Sequence, residues 1–431
     1  MEYTAGNDPA ALRLLKVLIE LQQGRCTYGT MWRGTFHRLA AEHGPVATRV
    51  SLSAHTTTML VRDIRDIAVH TASARPPAVS FRAVAPAGQS APRPPCFVLG
   101  PATSQNLWDI AGQIETPQAG CYVLEGASVA PTGIAVSEGV AFHSDAFLHP
   151  RHHVVAISDR LNADKPQPRH VPGPLAVIYG PAHETWGHWL TDFLPRLWVL
   201  QEAGYDLTTT RFLLPFDLRP FARELLLLCG LREDQFVIYD HWRELILTDL
   251  LLMPTGLRVL NRLAPCFAQA TALWTSRMRA GAGVAEGQGG RSGLYLSRDA
   301  SPQGRLLQNR AVVASVMAAN GLQTVCPETL PVAEQVALFS TAGLIVGEYG
   351  SGLHNSVFAP PGGAVIALRG TARHPDFVQT GIATALQQEL GYAFGITDWG
   401  ETDQSFSVDP VVLQRALDLM KLRQGPPAAG A

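Results

Sequence analysis

The 431-residue sequence is short of charge: Asp, Glu, Lys and Arg make up 16% of it and nearly cancel, to a formal net charge of −2. Binding to a nucleic-acid backbone rests on a basic field that displaces counterions, so nucleic acid is excluded as a partner. Cysteines number six, at positions 26, 96, 121, 229, 266 and 326, and no two of them stand as CxxC. That spacing offers neither a zinc knuckle nor a redox pair. A chain of this size needs no disulfide staple, so free thiols in a reducing compartment are expected. No run reaches the ~18 apolar residues of a membrane span. The first residues also lack the charged, apolar, small-residue order of a signal peptide. The expectation is a soluble, cytoplasmic chain. D-x-D is absent, leaving no visible ligands for a Mg²⁺-bridged nucleotide, and no GK[ST] closes a phosphate loop.

What is present is an ordinary globular composition, 46% hydrophobic, with length enough for two or three cores. Asp8-Pro9 opens an amphipathic helix carrying Leu12, Leu15, Leu18 and Ile19, which suits packing on the body of the protein. Residues 45 to 160 are rich in Pro, Ser, Thr and Val and read as short strands and turns. "ARPPAVSFRAVAPAGQSAPRPP" and "RLNADKPQPRHVPGP" read as loops or linkers, because proline cannot donate to a ladder or continue a helix. From Pro174 the texture changes to alternating strands and helices. "AGAGVAEGQGGRSG" interrupts the alternation, and it then restarts at "GLYLS". Such alternation argues for parallel sheets covered on both faces. The expected organisation is an N-terminal helix and β-rich extension over 1–165, a Rossmann-like domain over 166–280, a Gly-rich linker over 281–293 and a second Rossmann-like domain over 294–431.

Three segments could carry chemistry. The first, "HETWGH", invites comparison with the zinc-protease helix, but His183 and His188 are five apart. A five-step turns the second ring about 140° around a helix, against about 40° for a four-step, so the two imidazoles diverge and no metal site is expected. Beyond it, His188, Asp192 and Arg196 recur every four residues on one face. The plain reading is a solvated stripe with an Asp192–Arg196 ion pair; a histidine and a carboxylate one turn apart also make a base and its orienting partner. Pro195 is expected to bend this helix. The second segment, "VGEYGSGLHNSVFAPPG" at 346–362, follows an apolar strand. Gly347, Gly350 and Gly352 suit close approach to a ligand, and a strand-to-helix turn aims amide N–H groups at a phosphate. It also reads as a mere tight turn, with His354 and Asn355 pointing either into a cleft or into a cap network. In the third, a strand ends at Ser297-Arg298, where ligands of open α/β sheets bind, and Arg298 and Arg305 are natural diphosphate partners unless they are simply surface arginines.

Together these segments resemble glycosyltransferase family 61. The run His188-Trp189-Leu190-Thr191-Asp192-Phe193-Leu194-Pro195-Arg196-Leu197 matches "HWLxDxLPRL". Ser297-Arg298 with Arg305 and Asn309, then Glu334-Gln335, then "GEYGSGLHNSVFAPPG" follow in the family's order over roughly 170–370. The resemblance implies a GT-B-like α/β fold, two Rossmann-like domains facing a cleft with a β-rich N-terminal part. It implies inverting, metal-independent transfer of a sugar from a nucleotide-sugar, with no cofactor, to a glycan or lipid-linked acceptor. Bacterial members are linked to capsule or exopolysaccharide assembly, which adds peripheral attachment to the inner membrane face as an option. Carried over, Ser297, Arg298, Arg305, Asn309, Glu334, Gly350, Ser351, Gly352, Leu353 and Asn355 would meet the donor. Arg298 and Arg305 would hold its diphosphate and Glu334 its ribose. Asp192 with His188 would deprotonate the acceptor, an assignment made from geometry, with burial expected to raise the Asp192 pKa toward a base's range. Tyr349 stands where the family has His, so it could assist the leaving group only by hydrogen bonding. The alternative is a non-catalytic nucleotide-sugar or carbohydrate-binding scaffold of a polysaccharide assembly complex.

Overall fold

A computed structural model describes residues 60–63, 79–130, 133–137, 140–143, 167–241, 243–259, 261–284, 292–298, 307–372, 377–398 and 405–424. The helix expected at Asp8-Pro9, most of the Gly-rich linker, and Arg305 lie outside these residues. All described residues fall in one compact α/β unit, Thr58–Ala431.

Two large sheets organise it. In the first, Glu244–Pro254, Gln167–Ala176, Arg211–Pro215 and Phe236–Tyr239 lie side by side and parallel. Along its other edge, Glu244–Pro254 pairs antiparallel with the long strand Ala119–Ala130, which continues through Ile134–Ser137 to Val140–His143. The β-rich N-terminal part thus completes the first sheet. The second sheet is wholly parallel, in the order Gln323–Val325, Ser292–Leu296, Ala342–Glu348, Ala364–Arg369, Glu389–Phe394 and Phe97–Leu99. Its central strand Ala342–Glu348 is buried along its whole length, which is why it reads as one apolar run with no alternation.

Two stretches expected as loops are strands. Val79–Ala85 pairs with Ala119–Ala130 alone, as an edge strand. Gln167–Ala176 contains Pro168, Pro172 and Pro174, yet pairs with Glu244–Pro254. Its other neighbour, Arg211–Pro215, joins only at Leu175 and Ala176. Through the proline-bearing part the ladder is therefore one-sided, and an edge tolerates a missing N–H.

One continuous core joins the sheets, reaching from Leu175, Trp189 and Phe193 through Trp274 to Val336, Leu353 and Phe358. Each such side chain contributes on the order of 1.5–3 kcal/mol by leaving water. Among the described residues no helix is long and apolar enough to cross a membrane.

Candidate active site

The turn after Gln167–Ala176 delivers Trp186-Gly187-His188 into a π-helical turn, Trp189–Phe193, before an α-helix resumes over Pro195–Glu202. Pro195 explains the wide turn. It has no N–H to give the preceding turn, and the chain expands until Leu194 N donates to the Trp189 carbonyl at 2.9 Å. Side chains take up local carbonyls: Thr191 Oγ1 donates to Gly187 O at 2.9 Å, and Arg196 Nε to Asp192 O at 3.1 Å.

The stripe His188–Asp192–Arg196 is not solvated. Asp192 and Arg196 are each 1% exposed. The ion partner of Asp192 is Arg258, from the hairpin Arg258–Val259/Arg262–Leu263. Arg258 donates Nε to Oδ1 of Asp192 and Nη2 to Oδ2 at 2.9 Å, and the same Oδ2 holds His188 Nδ1. Burial alone would raise the Asp192 carboxyl, but Arg258 and His188 outweigh it and hold the group well below the usual carboxylate range. The expected upward shift is therefore corrected. This carboxylate is a fixed counter-charge and a poor proton acceptor. A histidine bonded to it through Nδ1 has its tautomer set, with the lone pair on Nε2.

Across from this helix, Ala342–Glu348 runs into Gly350 and the 3₁₀-helix Ser351–Phe358. Gly187 is where the two segments meet: a methyl group there would come within 2.6 Å of His354 Nδ1 and 3.0 Å of Ser351 Oγ. His354 packs into this contact with both ring nitrogens buried. Burial, then the charges of Arg258 and His188, push its pKa down to about 3, so the ring is neutral.

Arg298 completes the glycine loop. It follows the strand Ser292–Leu296, and its Nη1 donates to Tyr349 O at 3.3 Å. A methyl group at Gly350 would approach that Nη1 to 2.9 Å, so glycine is what admits the guanidinium. Burial lowers the Arg298 pKa, and Glu348 opposes the shift. Glu348, 2% exposed, accepts from Arg298 N at 3.3 Å, from Leu307 N at 3.2 Å and from both Nε and Nη2 of Arg310 at 3.1 and 3.2 Å. One buried carboxylate thereby gathers two arginines at the carboxyl end of the second sheet.

The structure thus brings together His188, Asp192, Ser351, Gly350 and Arg298, with Gly352 and the buried Leu353 in the same turn and Ser297 buried beside Arg298. Tyr349 has its hydroxyl in the core, accepting from Gln379 N at 3.1 Å, with Arg369 over its ring. Asn355 is fully buried, accepting from Trp186 Nε1 and donating to Gln335 Oε1, each at 3.0 Å. Asn309 is clasped to the Val408 backbone, donating at 2.7 Å and accepting at 3.2 Å. Both amides are joints within the protein. Glu334 is exposed on the first turn of Val332–Ser340.

Sequence reasoning passed over Arg258, Arg310 and Glu348. Glu348 had a signal, as a carboxylate ending an apolar run at a sheet's carboxyl edge. Arg258 had none, since only tertiary folding carries it 66 positions back to Asp192. No curated protein matches this chain. Residues 186–366 match the family model described as Glycosyltransferase 61.

Proposed function

Since residues 186–366 belong to the glycosyltransferase 61 family, we propose that the chain transfers a sugar from a nucleotide-sugar to a hydroxyl of a glycan or lipid-linked acceptor, with inversion. In this reading the second sheet is the donor half of a GT-B-like arrangement. The diphosphate lies over Gly350 and Ser351, and Arg298 and Arg310 take the negative charge that grows on it as the glycosidic bond breaks. Such preorganised donors stabilise a transition state by several kcal/mol.

His188 is the base. Its Nε2 takes the acceptor proton as the hydroxyl oxygen attacks the anomeric carbon and the nucleoside diphosphate departs from the opposite face. Asp192 holds the ring through Nδ1 and compensates the imidazolium, while Arg258 keeps Asp192 ionised and in place. One displacement inverts the configuration. The leaving-group charge falls to guanidinium groups, so turnover should not depend on added Mg²⁺. Polysaccharide assembly is the setting the family resemblance implies.

The observation that carries the reading is the packing of Gly187 on Ser351 and His354, which sets the His188–Asp192 pair beside the loop that holds Arg298. A thermal-shift screen across UDP-, GDP-, CMP- and dTDP-sugars should pick out a donor class, because a ligand that binds only the folded state raises the midpoint. With that donor, His188→Ala should lose about 10²–10⁴-fold in turnover yet bind it normally, whereas Arg298→Ala should lose affinity. Undiminished turnover in His188→Ala would remove the base; undiminished affinity in Arg298→Ala would move the diphosphate.

A further inference from the structure

His183, the first histidine of "HETWGH", turns away from His188 and toward two residues distant in sequence. Its Nε2 lies 2.9 Å from Asp217 Oδ1, and His241 Nδ1 lies 3.5 Å from the same oxygen. The three ligand atoms all fall within 4.8 Å of one another, forming the one cluster of metal-ligating groups among the described residues. Each residue follows one of three adjacent parallel strands: His183 comes after Gln167–Ala176, Asp217 after Arg211–Pro215 and His241 after Phe236–Tyr239. This is the carboxyl edge, where open α/β sheets collect ligands.

We propose that His183, Asp217 and His241 form a binding site for a zinc-class divalent ion. At bond lengths of about 2.0–2.2 Å, neighbouring ligands around a tetrahedral ion stand roughly 3.3 Å apart. The separations of the two histidines from Asp217 Oδ1 bracket that value, and all three ligand atoms lie within 4.8 Å of one another, so small side-chain adjustments would close them on one ion. Two imidazoles and one carboxylate suit zinc and its neighbours, while Mg²⁺ and Ca²⁺ take oxygen ligands. Three protein ligands leave a fourth position for water. Asp217, 43% exposed at its side chain, gives an entry path from solvent, while His241 is buried. Glu184 Oε2 stands 3.8 Å from Nδ1 of His183 and adds a negative charge beside the cluster. Around the cluster, Tyr179 and Tyr239 join their hydroxyls, and Tyr179, Tyr239 and Phe216 set their rings against the two histidines.

The ion would not touch the transfer chemistry. Its effect would be on the turn that launches the His188 helix, since Trp189 Nε1 donates to the His183 carbonyl at 2.6 Å. The inference stands apart from the transfer reading and is tested without a sugar donor. Untagged full-length protein, stripped with chelator and dialysed, is titrated with Zn²⁺ by calorimetry, and Co²⁺ is added in parallel to read its visible absorption. One saturating equivalent of Zn²⁺, a raised thermal midpoint and the intense visible bands of four-coordinate Co²⁺ are expected. Asp217→Asn and His183→Gln, both at partly exposed positions, should each weaken Zn²⁺ at least tenfold, while His188→Ala should bind it as the parent does. Absence of saturable binding, or unchanged affinity in both ligand variants, would overturn the site.

Discussion

Asp192 shows how much a charge depends on its neighbours. Nearly sealed from water, it stays ionised because Arg258 meets both of its oxygens and His188 meets one. Removing its charge leaves Arg258 buried without a counter-ion, an imbalance that costs about 3–5 kcal/mol. Urea denaturation of Asp192→Asn should report a loss of that size; a variant as stable as the parent would mean that Arg258 finds another partner. His188→Ala leaves the ion pair intact and is the cleaner probe of the base. His354 supplies the pH dependence. Its pKa is near 6.5 in an unfolded chain and about 3 in the folded protein, beside Arg258, His188 and Asp192. Between those values the unfolded chain binds the extra proton, so stability falls as pH drops from about 6.5 toward 3. For one proton the slope is at most about 1.4 kcal/mol per pH unit. Denaturation midpoints across that range should show the decline, and His354→Gln should flatten it by one proton's worth. A parent protein equally stable at pH 4 and pH 7 would contradict the buried, neutral ring.

At the scale of elements, the site is two strand-to-helix turns pressed together, each opened by a residue without an ordinary side chain. Pro195 makes the π turn, and Gly187 and Gly350 allow the close approaches. Gly350→Ala would push the Arg298 guanidinium from its place against the loop, and donor affinity should fall about tenfold or more, an energy of about 1.4 kcal/mol. Calorimetry against the donor found by thermal shift decides this; equal affinity would show that Arg298 does not serve from that position. Much of this level was legible in the sequence. The apolar run before Gly347, the glycine turn, the strand ending at Arg298 and the proline-bent helix are all local patterns. Where local reading failed, long-range pairing had prevailed over a sound rule. Pro168, Pro172 and Pro174 argued against a strand, but the ladder at that edge is one-sided.

The whole molecule depends on a few cross-links between its two sheets. Trp186 Nε1, Asn355 and Gln335 form a buried chain of hydrogen bonds from the start of the His188 helix to Val332–Ser340. Trp186→Phe keeps the ring contact with Phe221 but strands a buried acceptor on Asn355, a loss of about 1–3 kcal/mol. If the link holds the two halves in register, turnover should drop at least tenfold while donor affinity changes less than twofold. Full turnover in that variant would show that the register is held elsewhere.

By itself the sequence determined what is local: which runs are apolar strands, where glycine and proline bend the chain, and the motif order that matches family 61. Tertiary structure alone decided partnership. Arg258 for Asp192, Glu348 for Arg298 and Arg310, and Asp217 and His241 for His183 are choices made across tens of residues. Likewise, the burial of Tyr349 and Asn355 is set by the fold. The physical reason is range. Backbone conformation responds to a residue's near neighbours along the chain, whereas the charge state and orientation of a buried group depend on what the packed core sets against it.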